Sequence, residues 1–168
     1  MMKPKMEIRR LTVGRMDPTT SPSEDRTIEG TAVPFNKLSH QIAGERSRIF
    51  REKIEPGALT WDDRTVLILQ HDQRGVPLAR IGSGTMSMEN GADGVRFRAT
   101  LPESRPDVRE ALERGDLSGD VSIGFVVEDD RWLHGKSGSV RTVTAGHIVE
   151  LSLVSNGAYP DAAISGGA

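Results

Sequence analysis

The stretch with the residue types for chemistry is Leu117-Ser118-Gly119-Asp120-Val121-Ser122-Ile123-Gly124-Phe125. A serine hydroxyl acts as a nucleophile when it stands clear of its own backbone and within hydrogen-bond reach of a base, and a rigid strand with small neighbours meets both needs. Val121, Ile123, Phe125 and Val127 alternate along one face of such a strand, leaving Ser122 and Gly124 on the other. The Ser122 hydroxyl is then uncrowded. The plain alternative is a polar-face serine that meets only water.

A base must take the hydroxyl proton, and a third group usually orients that base. Four histidines are available. His40, His134 and His147 lie in loop or strand-end contexts without apolar framing, and solvent exposure is expected for each. His71 differs, because Val66-Leu67-Ile68-Leu69 reads as a strand buried on both sides and delivers Gln70-His71-Asp72 at its end. Glu150 sits among Ile148, Val149, Leu151, Leu153 and Val154. A carboxylate there needs a partner if it is buried. Period two equally allows Glu150 and Ser152 to share a wet sheet face, and the pattern leaves that choice open.

The elements that must position these side chains are mostly short strands. Residues 6–13, 27–35, 48–54 and 66–69 read as strands, and 77–89 with 95–101 as a hairpin closed by Asn90-Gly91-Ala92-Asp93-Gly94. Residues 36–46 read as a surface loop, and 17–25 as a loop or disordered insert. One helix is predicted over 104–114, with Ser104 as N-cap, Pro106 and Asp107 in the first turn, an apolar face of Val108, Ala111 and Leu112, and Gly115 as terminator. The serine strand should run to about Leu133, followed by a turn at 135–138 and two further strands, 140–143 and 146–155. The expected class is mainly β with a few helices (α+β), an antiparallel β-barrel surrounded by helices. All 168 residues form one domain, with a core of about 5–158 and a mobile tail over 159–168.

Composition narrows the function further. The formal charge of -2 offers no field for nucleic acid or an anionic membrane, so neither is an expected partner. No cysteine is present, which excludes thiol catalysis, thiolate metal sites and disulfides. No apolar run approaches a membrane span, and the basic amino terminus lacks the apolar region of a secretory signal. No cofactor or metal is expected. A Gly-x-Ser-x-Gly elbow is absent around Ser122, which argues against an esterase-like hydrolase.

The motifs, taken together, resemble those of the prohead (procapsid) maturation proteases of HK97-type tailed bacteriophages, a family similar in fold to the herpesvirus assemblins. The matching landmarks are Glu55-Pro56-Gly57-Ala58-Leu59, Gln70-His71-Asp72, the segment from Leu117 to Phe125, and Glu150-Leu151-Ser152-Leu153-Val154 with Ala158-Tyr159-Pro160-Asp161-Ala162. Gln70 stands where the family commonly has asparagine. Both Asp120 and Val121 occupy an interval that is often one residue shorter, which makes Ser118 a rival nucleophile. The resemblance implies Ser122 as nucleophile, His71 as general base and then acid, Glu150 as the group that orients His71, and an oxyanion loop at Asn156, Gly157 and Ala158. It implies an assemblin-like barrel and a serine endopeptidase working in the procapsid interior within the host cytoplasm. The substrates would be scaffold or the scaffold-like amino-terminal segment of the major capsid protein, and the protease itself, with a homodimer as the expected assembly. The competing reading is a non-catalytic capsid or scaffold interaction module with the same fold.

Overall fold

Two sixteen-residue strands, β10 (Asp120–Gly135) and β11 (Gly138–Leu153), run antiparallel as one long hairpin and carry most of the remaining chain on their outer edges. Their β-branched and aromatic content suits a pleated surface. The computed structural model describes residues 8–16, 26–44, 46 and 48–155. The predicted insert at 17–25, the tail from 159 and the oxyanion segment 156–158 lie outside those residues.

On the free edge of β10 lie β1 (Ile8–Met16), β2 (Thr27–Pro34), β9 (Gly94–Thr100) and β8 (Met86–Asn90), all antiparallel to their neighbours. The free edge of β11 is lined in succession by β4 (Ile49–Ile54), β5 (Leu59–Thr60) and β6 (Val66–Leu69). Each of these three runs parallel to β11. They form one interrupted edge that travels alongside β11, so short turns connect them and no crossover helix is needed between them. Two short strands complete the eleven-stranded sheet: β3 (Ile42–Ala43) on β4 and β7 (Ala79–Arg80) on β6.

The expected antiparallel barrel surrounded by helices is therefore corrected to an open, mixed, β-rich sheet with one helix among the described residues. Closure fails where β7 meets β8. The Thr85 hydroxyl accepts from the Arg80 N–H (2.8 Å) and donates to the Arg80 carbonyl (3.2 Å), which meets the hydrogen-bonding needs of that residue with a side chain where a ladder would use a strand. Alternating hydrophobicity reports which face is buried and carries no signal for whether the two ends of a curled sheet meet.

The helix, α1 (Pro106–Arg114), buries Val108 and packs Ala111 and Leu112 against the core. Its N-cap is Arg105 in place of the predicted Ser104, and no side chain caps it. Pro106 explains the shift: a residue preceding proline is kept out of the helical region, so the helix can begin no earlier than the proline itself. Gly115 ends the helix in the left-handed conformation, as expected.

The two strands predicted over 140–143 and 146–155 are one. Ala145-Gly146 is a bulged stretch inside β11, where the pairing slips between Asp130↔Val143, Asp129↔Ala145 and Val127↔Gly146. Gly146 serves close packing there, since a β-carbon would lie 2.9 Å from the Val126 carbonyl oxygen and 3.0 Å from Leu59. The predicted loop at 36–46 likewise contains β3 and a buried Ser39. Val121, Ile123, Phe125, Ile148, Leu151 and Leu153 fill the core between the hairpin, β2, β9, β6 and α1.

Candidate active site

Cross-strand register brings the first residues together. Ser122 pairs with Ser152 and Gly124 with Glu150, so all four occupy the same face of the β10–β11 hairpin. That face is dry: Ser122, Ser152 and Glu150 are all buried. What covers it is the turn that follows β6. Because β6 runs parallel to β11 and ends at Leu69 opposite Leu153, the chain leaving it must fold back over β11.

Three hydrogen bonds fix that turn. The Gln70 N–H donates to the Leu153 carbonyl (2.9 Å), the Asp72 N–H to the Leu69 carbonyl (2.9 Å), and the His71 N–H to the Ser152 hydroxyl (2.7 Å). Gln70 and His71 both have positive φ, 52° and 57°, a conformation that costs a non-glycine residue about 1 kcal/mol or more. The surrounding bonds hold them there. Replacing Ser152 with alanine should leave the His71 N–H without its acceptor and destabilise the fold by about 1–3 kcal/mol. Thermal melting would register this, with a parallel loss of activity as the turn relaxes.

The imidazole of His71 lies across β11 toward β10. Its Nε2 is 2.7 Å from Ser122 Oγ, and its Nδ1 is 2.5 Å from Glu150 Oε1. An ionised carboxylate only accepts hydrogen bonds, so it fixes the ring proton on Nδ1 and leaves Nε2 free to accept from the serine hydroxyl. The other carboxylate oxygen, Oε2, accepts from the side-chain amide of Gln73 (3.1 Å). Asp72, adjacent to His71 in sequence, is engaged elsewhere: the backbone N–H and then the guanidinium of Arg74 hold its carboxyl below the usual range.

Gly124 makes the arrangement sterically possible. A β-carbon there would sit 2.6 Å from Glu150 Cγ and 3.0 Å from its Cδ, so any other residue displaces the carboxylate. Gly124→Ala is expected to cost about 1–3 kcal/mol of stability through overpacking. A shift of about 1 Å in Glu150 should lower kcat/KM by roughly 10²-fold. Steady-state kinetics at a temperature well below the melting point separates the two effects.

The family model of the caudovirus prohead serine proteases matches residues 15–167 of the 168. The chain belongs to this family. Searches among curated proteins and among solved structures return no significant match. Membership in the caudovirus prohead serine proteases carries the coarse assignment of a serine protease of phage capsid maturation that acts on capsid proteins inside the procapsid. No helix among the described residues is long and apolar enough to cross a membrane.

Of the other sequence candidates, Ser118 is hydrogen-bonded to Asp120 and Val154 and to no imidazole. Its one hydroxyl proton is shared between Asp120 Oδ2 and the Val154 carbonyl (3.1 Å each), and the oxygen accepts from the Asp120 N–H (3.3 Å), which gives it a structural task at the entry to β10. The histidines expected at the surface divide. His134 is exposed, whereas His40 and His147 are half-buried. His147 Nδ1 is 2.9 Å from the Thr60 hydroxyl and its Nε2 is 3.4 Å from Asp62 Oδ2. This second hydroxyl, imidazole and carboxylate series differs in its acid. Asp62 is committed to Arg64, whose guanidinium and backbone N–H hold its carboxyl at about 2. Sequence reasoning missed Gln73, Ser152 and the steric role of Gly124. Only Gly124, alternating with Ser122 and opposite a strand rich in large side chains, left a trace in the sequence.

Proposed function

We propose that the chain is a serine endopeptidase that cuts scaffold, or the scaffold-like amino-terminal segment of the major capsid protein, inside the procapsid, and that it also cuts itself. The observation that carries this reading is the continuous hydrogen-bonded series Ser122 Oγ, His71 and Glu150, drawn from three different strands or their ends. In the proposed mechanism Nε2 takes the Ser122 proton while Oγ attacks the scissile carbonyl carbon. The resulting imidazolium is stabilised by the buried Glu150 carboxylate. As the tetrahedral adduct collapses, Nε2 gives its proton to the departing amine and the carbon–nitrogen bond breaks, leaving an acyl-enzyme. Water then repeats the sequence and releases Ser122. Asn156, Gly157 and Ala158, which follow β11 in sequence after Val154 and Ser155, are assigned as the oxyanion donors by the resemblance.

Support for a protein substrate comes from the partly exposed edge of His71 beside a buried serine. An extended chain can reach such a site. Co-expression with a capsid protein that retains its amino-terminal segment tests the reading. Shortened capsid protein is expected with the wild-type chain and full-length protein with His71→Ala. Intact capsid protein in both cases would leave the non-catalytic module as the surviving alternative.

A further inference from the structure

Most of the large apolar side chains exposed among the described residues gather at the end of the β10–β11 hairpin opposite the serine. Leu133 is 73% exposed, Ile49 58% and Leu38 46%. Register explains why they meet. Leu133, Val140 and Arg51 are successive cross-strand partners on β10, β11 and β4, and Arg131, Thr142 and Lys53 form the next row on the same face. Ile49 precedes Arg51 by one period. The row borders a cavity of about 480 Å³ to which no aspartate or glutamate contributes.

The opposite face of this hairpin end carries an aromatic cluster. There Phe50 packs edge-on to Trp132 with ring centroids 5.1 Å apart, and Arg141 lies 5.5 Å over the indole while bound to Asp130 and Glu52. That packing makes the strands beneath Leu133 and Ile49 a rigid platform. Arg131 is bound by Glu55, whereas Arg51 and Lys53 have no carboxylate partner among the described residues. An apolar floor beside two cations that no described carboxylate pairs complements a segment that bears carboxylates next to apolar side chains. A second copy docking through the same patch would set Arg51 and Lys53 against their own counterparts, which like-charge repulsion opposes.

We propose that this face is a docking groove for an extended acidic peptide segment with apolar anchors, carried by the protein substrate. The link to substrate rests on the protease reading above. Trp132 is ten positions beyond Ser122 on β10, about 30 Å at ~3.3 Å per residue. A linker of roughly ten to fifteen residues would join the docked segment to a scissile bond at Ser122. Tethering of this kind raises the local concentration of the cleavage site without new contacts at the serine.

The test uses the full-length Ser122→Ala chain and a fluorescent peptide of about twelve residues, long enough to cross the three strands at ~4.8 Å spacing, in which leucines alternate with glutamates. Fluorescence anisotropy should show saturable binding that weakens with salt. It should fall at least about 10-fold when glutamines replace the glutamates, and also in Arg51→Glu/Lys53→Glu and in Leu133→Ser. In an active chain, fusing the acidic segment to a cleavable reporter should lower KM with kcat unchanged, and Arg51→Glu should remove that gain while leaving the unfused reporter unaffected. Equal binding of the glutamine peptide, binding indifferent to these substitutions, tighter binding of an oligothymidine, or Leu133-dependent dimerisation would each overturn the proposal. The binding arm needs no turnover, so its failure and the failure of the protease reading are separable.

Discussion

Replacing Ser122 with alanine should abolish covalent labelling by a fluorophosphonate and lower peptide-bond cleavage by roughly four orders of magnitude or more. Ser122 Oγ is the hydroxyl held 2.7 Å from an imidazole whose other nitrogen meets a buried carboxylate. Losing it removes the proposed attacking atom and leaves the rest of the site in place. The substitution deletes one small buried atom and its hydrogen bond, for which the stability cost is only about 1 kcal/mol. Activity and stability therefore separate. Ser118→Ala provides the contrast: it removes a hydroxyl that ties Asp120 to the Val154 carbonyl, so it should lower the melting temperature and leave labelling intact. Intact mass after probe treatment reads both variants directly. Labelling that persists in Ser122→Ala and disappears in Ser118→Ala would move the nucleophile by four positions and break the assigned geometry.

That two serines had to be weighed shows where the sequence stops. Period two places Ser122, Gly124, Glu150 and Ser152 on faces of their strands, and the apolar partners Val121, Ile123, Leu151 and Leu153 define the core side correctly. Whether the polar side is wet depends on the turn at 70–73, and nothing local specifies that turn. Gln70 and His71 adopt left-handed conformations with no glycine to announce them, held by partners on β11 more than eighty positions later in the chain. Long-range register sets such a conformation, and local propensity does not. The same limit governs the larger architecture. Strand positions were legible from apolar alternation, whereas the parallel edge formed by β4, β5 and β6 and the open end at β7 and β8 depend on partners that no window of residues reveals. The helix start failed for a different reason. Ser104 has the right chemistry for a cap, but Pro106 moves the boundary by a steric rule that outranks it.

Glu150→Gln should lower kcat by roughly three orders of magnitude while leaving the melting temperature unchanged or raising it. The amide keeps the volume and can still accept from His71 Nδ1 with one atom while its nitrogen donates to Gln73 after that side-chain amide rotates. Shape and the bonds to His71 and Gln73 both survive. What disappears is the negative charge that, in the proposed mechanism, stabilises the imidazolium formed as Ser122 attacks, an interaction that is strong because Glu150 is shut off from water. The same burial makes that charge expensive to keep in the resting enzyme, so its removal favours folding as it disables catalysis. Glu150→Asp separates charge from position: the carboxylate remains but retreats by one methylene from Nδ1, for which an intermediate loss of roughly 10²-fold is expected. An order of activity in which wild type exceeds the aspartate variant and that variant exceeds the glutamine variant assigns the effect to a correctly placed charge. If Glu150→Gln instead loses stability and activity together, and recovers activity under stabilising conditions, then Glu150 serves only to hold the turn over β11, and orientation of His71 must come from elsewhere.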